Sequence, residues 1–253
     1  NQDIGGWNVS NVTDMSMMFE RAKFDQDIGG WNVGNVTNMS RMFAYASFFD
    51  KDIGGWNVSN VTLMTHMFWL SVYNGDLSKW DVSNVTDMKN MFQSSQFNGD
   101  LSKWDVGNVK YFDYMFMQSY FNGDLSKWNI GSVITMYWMF SYSQFNNDSL
   151  ANWDVSNVVG LNSMFNNSQF NGDLSKWVLR SGADIANLFN GSQFNNDSLA
   201  NWNVENVVSL NYMFANSPFK GDISKWNVSN VKKMANMFYN SQFNGDISGW
   251  DVG

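Results

Sequence analysis

Eleven aspartates recur at one position along the chain: Asp3, Asp27, Asp52, Asp76, Asp100, Asp124, Asp148, Asp173, Asp197, Asp222 and Asp246. Carboxylates set this regularly can accept hydrogen bonds from loop amides or can bind a hard cation. The amide reading comes first, because Asn98, Gly99 and their counterparts supply turn chemistry just before each aspartate. Calcium is the alternative, with Asp76, Asp100 and Asp124 as candidate ligands, although the spacing matches neither the EF-hand nor the glycine-rich nonapeptide roll. No other cofactor is expected.

Catalysis finds little material. His66 is the only histidine and there are no cysteines, which removes a histidine metal cluster and thiol chemistry. The repeated aspartates form no unique acid and base pair, and the glycines fall at turns rather than in a phosphate cradle. A non-enzymatic protein is expected.

Binding has better candidates where the repeats differ. At the position held by Asn90, neighbouring units place His66, Tyr114 and Trp138, while Trp69, Tyr111, Met117 and Tyr137 take other outward positions. These seven side chains predict an exposed aromatic patch on which a protein, a glycan or a neighbouring copy of the chain docks. A scatter of aromatics shielding the surface is the alternative. A second column, including Asn11, Asn35, Asn60, Asn84, Asn108, Asn157, Asn206 and Asn230, predicts a buried ladder of amides that satisfies backbone groups. Several of these asparagines also open N-x-[ST] sequons, such as Asn11-Val12-Thr13, but an inward ladder is incompatible with glycans.

Tryptophan gives the frame that positions all of these. Trp7, Trp31, Trp56, Trp80, Trp104, Trp128, Trp153, Trp177, Trp202, Trp226 and Trp250 follow one another at 24 or 25 residues, so residues 1–253 read as a single solenoid of about ten repeats. In the unit Leu77 to Asp100 the apolar positions are Leu77, Trp80, Val82, Val85, Met88, Met91, Phe92 and Phe97. The alternation from Trp80 to Val82 predicts a short strand, and the i, i+3, i+4 spacing of Met88, Met91 and Phe92 predicts a short helix. The expected class is therefore α/β: one short parallel strand and one short helix per repeat. An all-β coil of three short strands is the alternative. One repeat cannot offset the entropy of ordering its own residues, so the units must stack.

The unit after Trp177 departs from the pattern. Val178, Ser181 and Gly182 stand where asparagine or aspartate, asparagine and valine are usual, which predicts a backbone adjustment or small cavity, with a ligand notch as the sharper reading. The chain opens at Asn1 and closes at Gly253, each inside a repeat, from which a longer array or end-to-end stacking is expected.

Composition narrows the partners. A formal net charge of -8 with only three arginines, Arg21, Arg41 and Arg180, argues against nucleic acid. No run of eighteen apolar residues is present, so no membrane-spanning helix is expected.

The pattern LxxWxVxxVxxMxxMF, followed by FNxD and with WDVSNVT as its most literal stretch, resembles the repeat of about 25 residues found in bacterial surface proteins and mycoplasma-type lipoproteins, relatives of the BspA-like leucine-rich repeats. The resemblance covers essentially the whole chain. It implies a leucine-rich-repeat-like solenoid at the cell surface or outside the cell, used for adhesion or for matrix and host contact, with no catalytic activity. Its usual anchors, a signal peptide, lipobox or wall-sorting tail, do not appear in these 253 residues. Two other readings compete: a fibre unit in which Trp250, Asp251 and Val252 continue into the Asn1 end of the next molecule, and a carbohydrate-binding surface protein.

Overall fold

A computed structural model describes residues 1–253. Each repeat forms one coil, and successive coils stack in register, with parallel bridges joining residues 24 or 25 apart. The α/β expectation fails. The chain contains 104 backbone hydrogen bonds, none within a helix or strand, and its only helical segments are single 3₁₀ turns at Asp148–Leu150 and Asp197–Leu199. Strands are likewise absent; isolated parallel bridges run from Asp14↔Asn38 through to Asp184↔Ser209.

Turns replace both elements. In the stretch predicted as helix, Met91, Gln93 and Ser95 donate their N–H groups three residues back, to Met88, Asn90 and Phe92. The alternate amides, Met88, Asn90, Phe92 and Ser94, donate to Tyr111, Asp113, Met115 and Met117 of the next coil at 2.8–3.2 Å. The two sets interleave, so every amide from Met88 to Ser95 is bonded once Lys89 N–H is added, which donates to Asp87 Oδ1 at 3.0 Å. Buried backbone groups must be paired, and here two consecutive coils share the task that a helix would perform alone.

Positive φ makes this path possible. Asn90 and Ser94, third residues of the first and last of these overlapping turns, have φ of 59° and 53°, and the same two positions are left-handed in every coil. Asn90, Asn187, Asn236, Asn216 and Gly191 suit that geometry. Met17, His66, Leu70, Tyr114 and Trp138 do not, yet they adopt it because the ladder fixes the path. A helix here would have only about two turns, too few to be stable without packing, whereas the turn ladder bonds to both neighbours.

The core is one continuous column. All eight apolar residues of the unit Leu77 to Asp100 are at most 3% exposed. Trp80 and Val82 point inward with Asp81 outside, but they belong to turns, Trp80 N–H donating to Leu77 O at 3.1 Å and Val85 N–H to Val82 O at 2.9 Å. Phe92 and its equivalents stack coil on coil from Phe19 to Phe238 with centroids 5.6–6.0 Å apart. Inside the same coil Phe92 also stacks on Phe97 at 4.4 Å. A small buried serine, such as Ser95, leaves room for both rings and accepts Phe97 N–H at 3.1 Å.

The repeat after Trp177 keeps its core by moving its turn one residue along. Ala183 N–H donates to Arg180 O at 3.0 Å, Gly182 takes φ +83°, and Ala183, fully buried, occupies the place of the usual valine. The local adjustment leaves a cavity of about 40 Å³ beside Leu179 and Val207, room for little more than a water molecule.

Candidate binding face on the turn ladder

Because the ladder pairs the backbone amides with one another, the corner residues of the turns are left to send their side chains outward in most coils. Four outward columns result, represented in one coil by Lys89, Asn90, Gln93 and Ser94. Six of the seven predicted patch residues lie in these columns and Tyr111 lies beside them in the bridge column of Asp87; all seven are half-buried rather than fully exposed. They form two clusters, not one patch, because the coil carrying Asn90 and Gln93 separates them, with Asn90 Nδ2 donating to Gln93 Oε1 at 2.5 Å.

The first cluster joins aromatics to arginines. His66 meets Trp69 edge-on at 5.2 Å, Tyr45 packs on Trp69 at 4.7 Å, Arg41 lies 5.4 Å above Trp69 and Arg21 4.5 Å above Tyr45. Cation and ring contacts of this kind contribute about 0.5–1 kcal/mol at exposed sites. Glu20 fixes Arg41 by accepting Nε at 3.1 Å and Nη2 at 2.5 Å. That bond holds the Glu20 carboxyl below its ordinary range and raises the guanidinium, while burial, helped by the Arg41 charge, lowers His66 and keeps it neutral at pH 7. Arg21, Arg41, Tyr45 and Glu20 were not among the predicted residues. Arg41 shares the outward column of His66 and Glu20 that of Trp69, while Arg21 and Tyr45 share the column of Leu70, and that alignment was the available signal.

The second cluster is built around Asp113. This carboxylate is buried and accepts Tyr137 N–H and Thr135 Oγ1, each at 2.9 Å, with Lys89 Nζ at 3.7 Å. Lys89 also sits 4.0 Å over the Tyr111 ring, so its charge is committed to the protein. Tyr114 and Trp138 stack at 6.3 Å with planes 10° apart. Met117 stands beside Gln93, whose Nε2 lies 3.8 Å from its sulfur.

The aspartate column forms a row of local turns. Asp76, Asp100 and Asp124 each accept the N–H of the serine two residues on, at 2.8 Å, and that serine's hydroxyl and N–H lower the carboxyl pKa of all three. Asp148 and Asp197 differ because one extra residue, Ser149 or Ser198, separates them from the buried leucine that follows. Asn147 and Asn196 take over the local turn, and the two aspartates accept the N–H of Asp173 and Asp222 in the next coil, both at 3.0 Å. No three acidic or imidazole side chains converge into a group able to hold a metal ion.

The asparagine ladder exists but is not buried. Asn35, Asn60, Asn84 and Asn108 donate from Nδ2 to Ser10, Gly34, Ser59 and Ser83 carbonyls of the preceding coil at 2.7–2.8 Å, on an exposed surface. Each of these four amide nitrogens is engaged in holding coils together.

A family described as "Mycoplasma protein of unknown function, DUF285" matches residues 1–94, 70–177, 121–217 and 167–253, four overlapping segments that run the length of the chain. The chain belongs to this family. Its overlapping matches make this DUF285 chain a tandem-repeat protein, in keeping with coils bonded in register. No curated protein and no solved structure matches it. No helix is long and apolar enough to cross a membrane.

Proposed function

We propose that this chain is a non-enzymatic recognition protein, acting at the cell surface or outside the cell in adhesion or in contact with a host or matrix. One observation carries the reading: the inward columns repeat the same residue types coil after coil, while the outward columns change, from arginine with aromatics, through aromatics, to amides such as Asn162, Asn187 and Asn190. A constant interior with a varied exterior suits binding along an extended face better than it suits one asymmetric reaction centre. The resemblance of the repeat to those of bacterial surface proteins supports the location, without the leucine-rich-repeat architecture.

Beads coated with the chain test the reading against cultured animal cells and matrix. Saturable attachment is expected, and Tyr114→Ser combined with Trp138→Ser should reduce it at least tenfold while the chain remains folded by circular dichroism. Beads that attach no better than albumin-coated controls would defeat it.

A further inference from the structure

We infer that Tyr114, Tyr137, Trp138 and Asp184 seat a basic segment of a partner protein, which rests on the recognition reading above and gives it a partner class.

Other rings on the same face show what such rings take. Three of them each carry a cation supplied by the coil before: Arg21 lies 4.5 Å over Tyr45, Arg41 5.4 Å over Trp69 and Lys89 4.0 Å over Tyr111. No cation of the protein lies over Tyr114, Tyr137 or Trp138. The repeat explains why. In the coil before Tyr137 and Trp138, the positions of Lys89 and Arg41 are taken by Asp113 and Tyr114, and in the coil before Tyr114 the position of Arg41 is taken by Asn90.

Carboxylates stand beside the same rings. Tyr137 N–H donates to the buried Asp113 at 2.9 Å, and the Tyr137 ring reaches over Gly160, where a Cβ would strike it. Gly160 bridges to Asp184, which places that aspartate one coil beyond the end of the ring. Burial first, and then the charges of Asp184 and Asp113, raise the Tyr137 phenol. Asp113 has Lys89 at 3.7 Å, whereas Asp184 accepts only uncharged donors, Ala186 N–H at 3.1 Å and Asn162 Nδ2 at 3.4 Å, and forms no ion pair. From Asp87 to Asp184 the bridge column and the outward columns hold three carboxylates, Asp87, Asp113 and Asp184, against one cation, Lys89.

The missing element is therefore a positive charge. An arginine or lysine docking here meets aromatic faces and an unneutralised carboxylate together, so ring attraction and ion pairing act on the same group. The net charge of -8 favours the approach of a basic partner. Beyond Trp138 the face continues into the amides Asn162, Asn187 and Asn190, a polar track that suits a peptide chain better than a small polyamine.

Titration calorimetry on the full 253-residue chain tests this at low ionic strength with hexa-arginine, hexalysine, hexaglutamate and spermine. Saturable binding of both basic peptides is expected, with none for hexaglutamate and binding at least tenfold weaker for spermine. Asp184→Asn, which keeps an acceptor for Ala186 N–H, and Trp138→Ala should each weaken hexa-arginine binding by fivefold or more. Asp222→Asn removes the same charge from the aspartate column of another coil and should change it less than twofold. Trp138→Phe, which keeps a ring, should recover most of the affinity lost in Trp138→Ala, so misfolding is distinguishable from loss of the seat. Failure of both basic peptides to bind, equal losses in Asp222→Asn and Asp184→Asn, no loss in Trp138→Ala, or spermine binding as tightly as the peptides would overturn the assignment. If cell attachment falls in the Tyr114 and Trp138 variants while no basic peptide binds, the recognition reading stands and this partner class falls; if the peptides bind as expected while the beads do not attach, the seat stands and the cell-surface reading falls.

Discussion

The indole Nε1 of Trp104 donates to the Leu77 carbonyl in the preceding coil at 3.0 Å, and that carbonyl also accepts Trp80 N–H from its own coil at 3.1 Å. One oxygen therefore closes a turn and ties two repeats together. The same pairing recurs ten times, from Trp31 on Ile4 to Trp250 on Ile223. Trp104→Phe removes the inter-coil bond and leaves a cavity, and should cost about 2–3 kcal/mol. Urea unfolding of this variant beside Trp7→Phe checks it. Trp7 is 56% exposed and should change stability by about 0.5 kcal/mol or less.

The left-handed corners make an opposite prediction. Leu70 is 41% exposed at φ 53°, so Leu70→Gly should raise stability by about 1 kcal/mol by relieving the backbone. Asn187→Val, at φ 57°, should lower it by at least that much. A helix at these sites would give the reverse order for Leu70, since glycine is the poorer helix residue.

Tyr73 replaces phenylalanine in the second ring column, stacked on Phe68 at 4.9 Å, and its buried hydroxyl has no hydrogen-bond partner. Burial pushes the phenol upward, so it stays protonated across the physiological range. Tyr73→Phe removes an unsatisfied group and keeps the ring, and should stabilise the chain by about 1 kcal/mol. A thermal melt that drops instead would show that the hydroxyl is engaged.

Acid should loosen the array. The serine two residues on, through its hydroxyl and N–H, holds each of Asp76, Asp100, Asp124, Asp222 and Asp246 below the ordinary aspartate value of 3.8. Their stabilisation is complete above that value, where the unfolded chain is also ionised, and is lost as pH falls through the lowered folded values. Asp76, Asp100 and Asp124 together changed to asparagine, which keeps the turn acceptor but does not titrate, should flatten the decline of the melting temperature between pH 4 and pH 2, a range set by roughly two units around and below the ordinary value. Chelation should leave the wild-type melt unchanged at neutral pH, because the serine N–H groups already organise these carboxylates.

Tryptophan spacing and the eight apolar positions of Leu77 to Asp100 made the core legible, since side chains that recur every 24 or 25 residues must meet their own equivalents. The element type was not legible from the same residues. Met88, Met91 and Phe92 are buried at helical spacing, and a run of overlapping turns buries the same set. Asn90, Asn187, Asn236 and Gly191 held the contrary signal, because asparagine and glycine recurring at corner positions favour left-handed backbone over helix. Helical periodicity outweighed it. The outward face was readable residue by residue, and aligning the repeats already sets Asn90 between His66 and Tyr114; only the structure shows Asn90 bonded to Gln93 there and Arg21 and Arg41 lying over Tyr45 and Trp69.

The extra residue before Leu150 and Leu199 is absorbed inside a single 3₁₀ turn, leaving the flanking ladders in register. Coils of different length therefore join without a seam. A recombination event that duplicated or deleted one whole repeat would lengthen or shorten the array by a storey, and would shift the spacing between the arginine-rich and aromatic clusters without rewriting either.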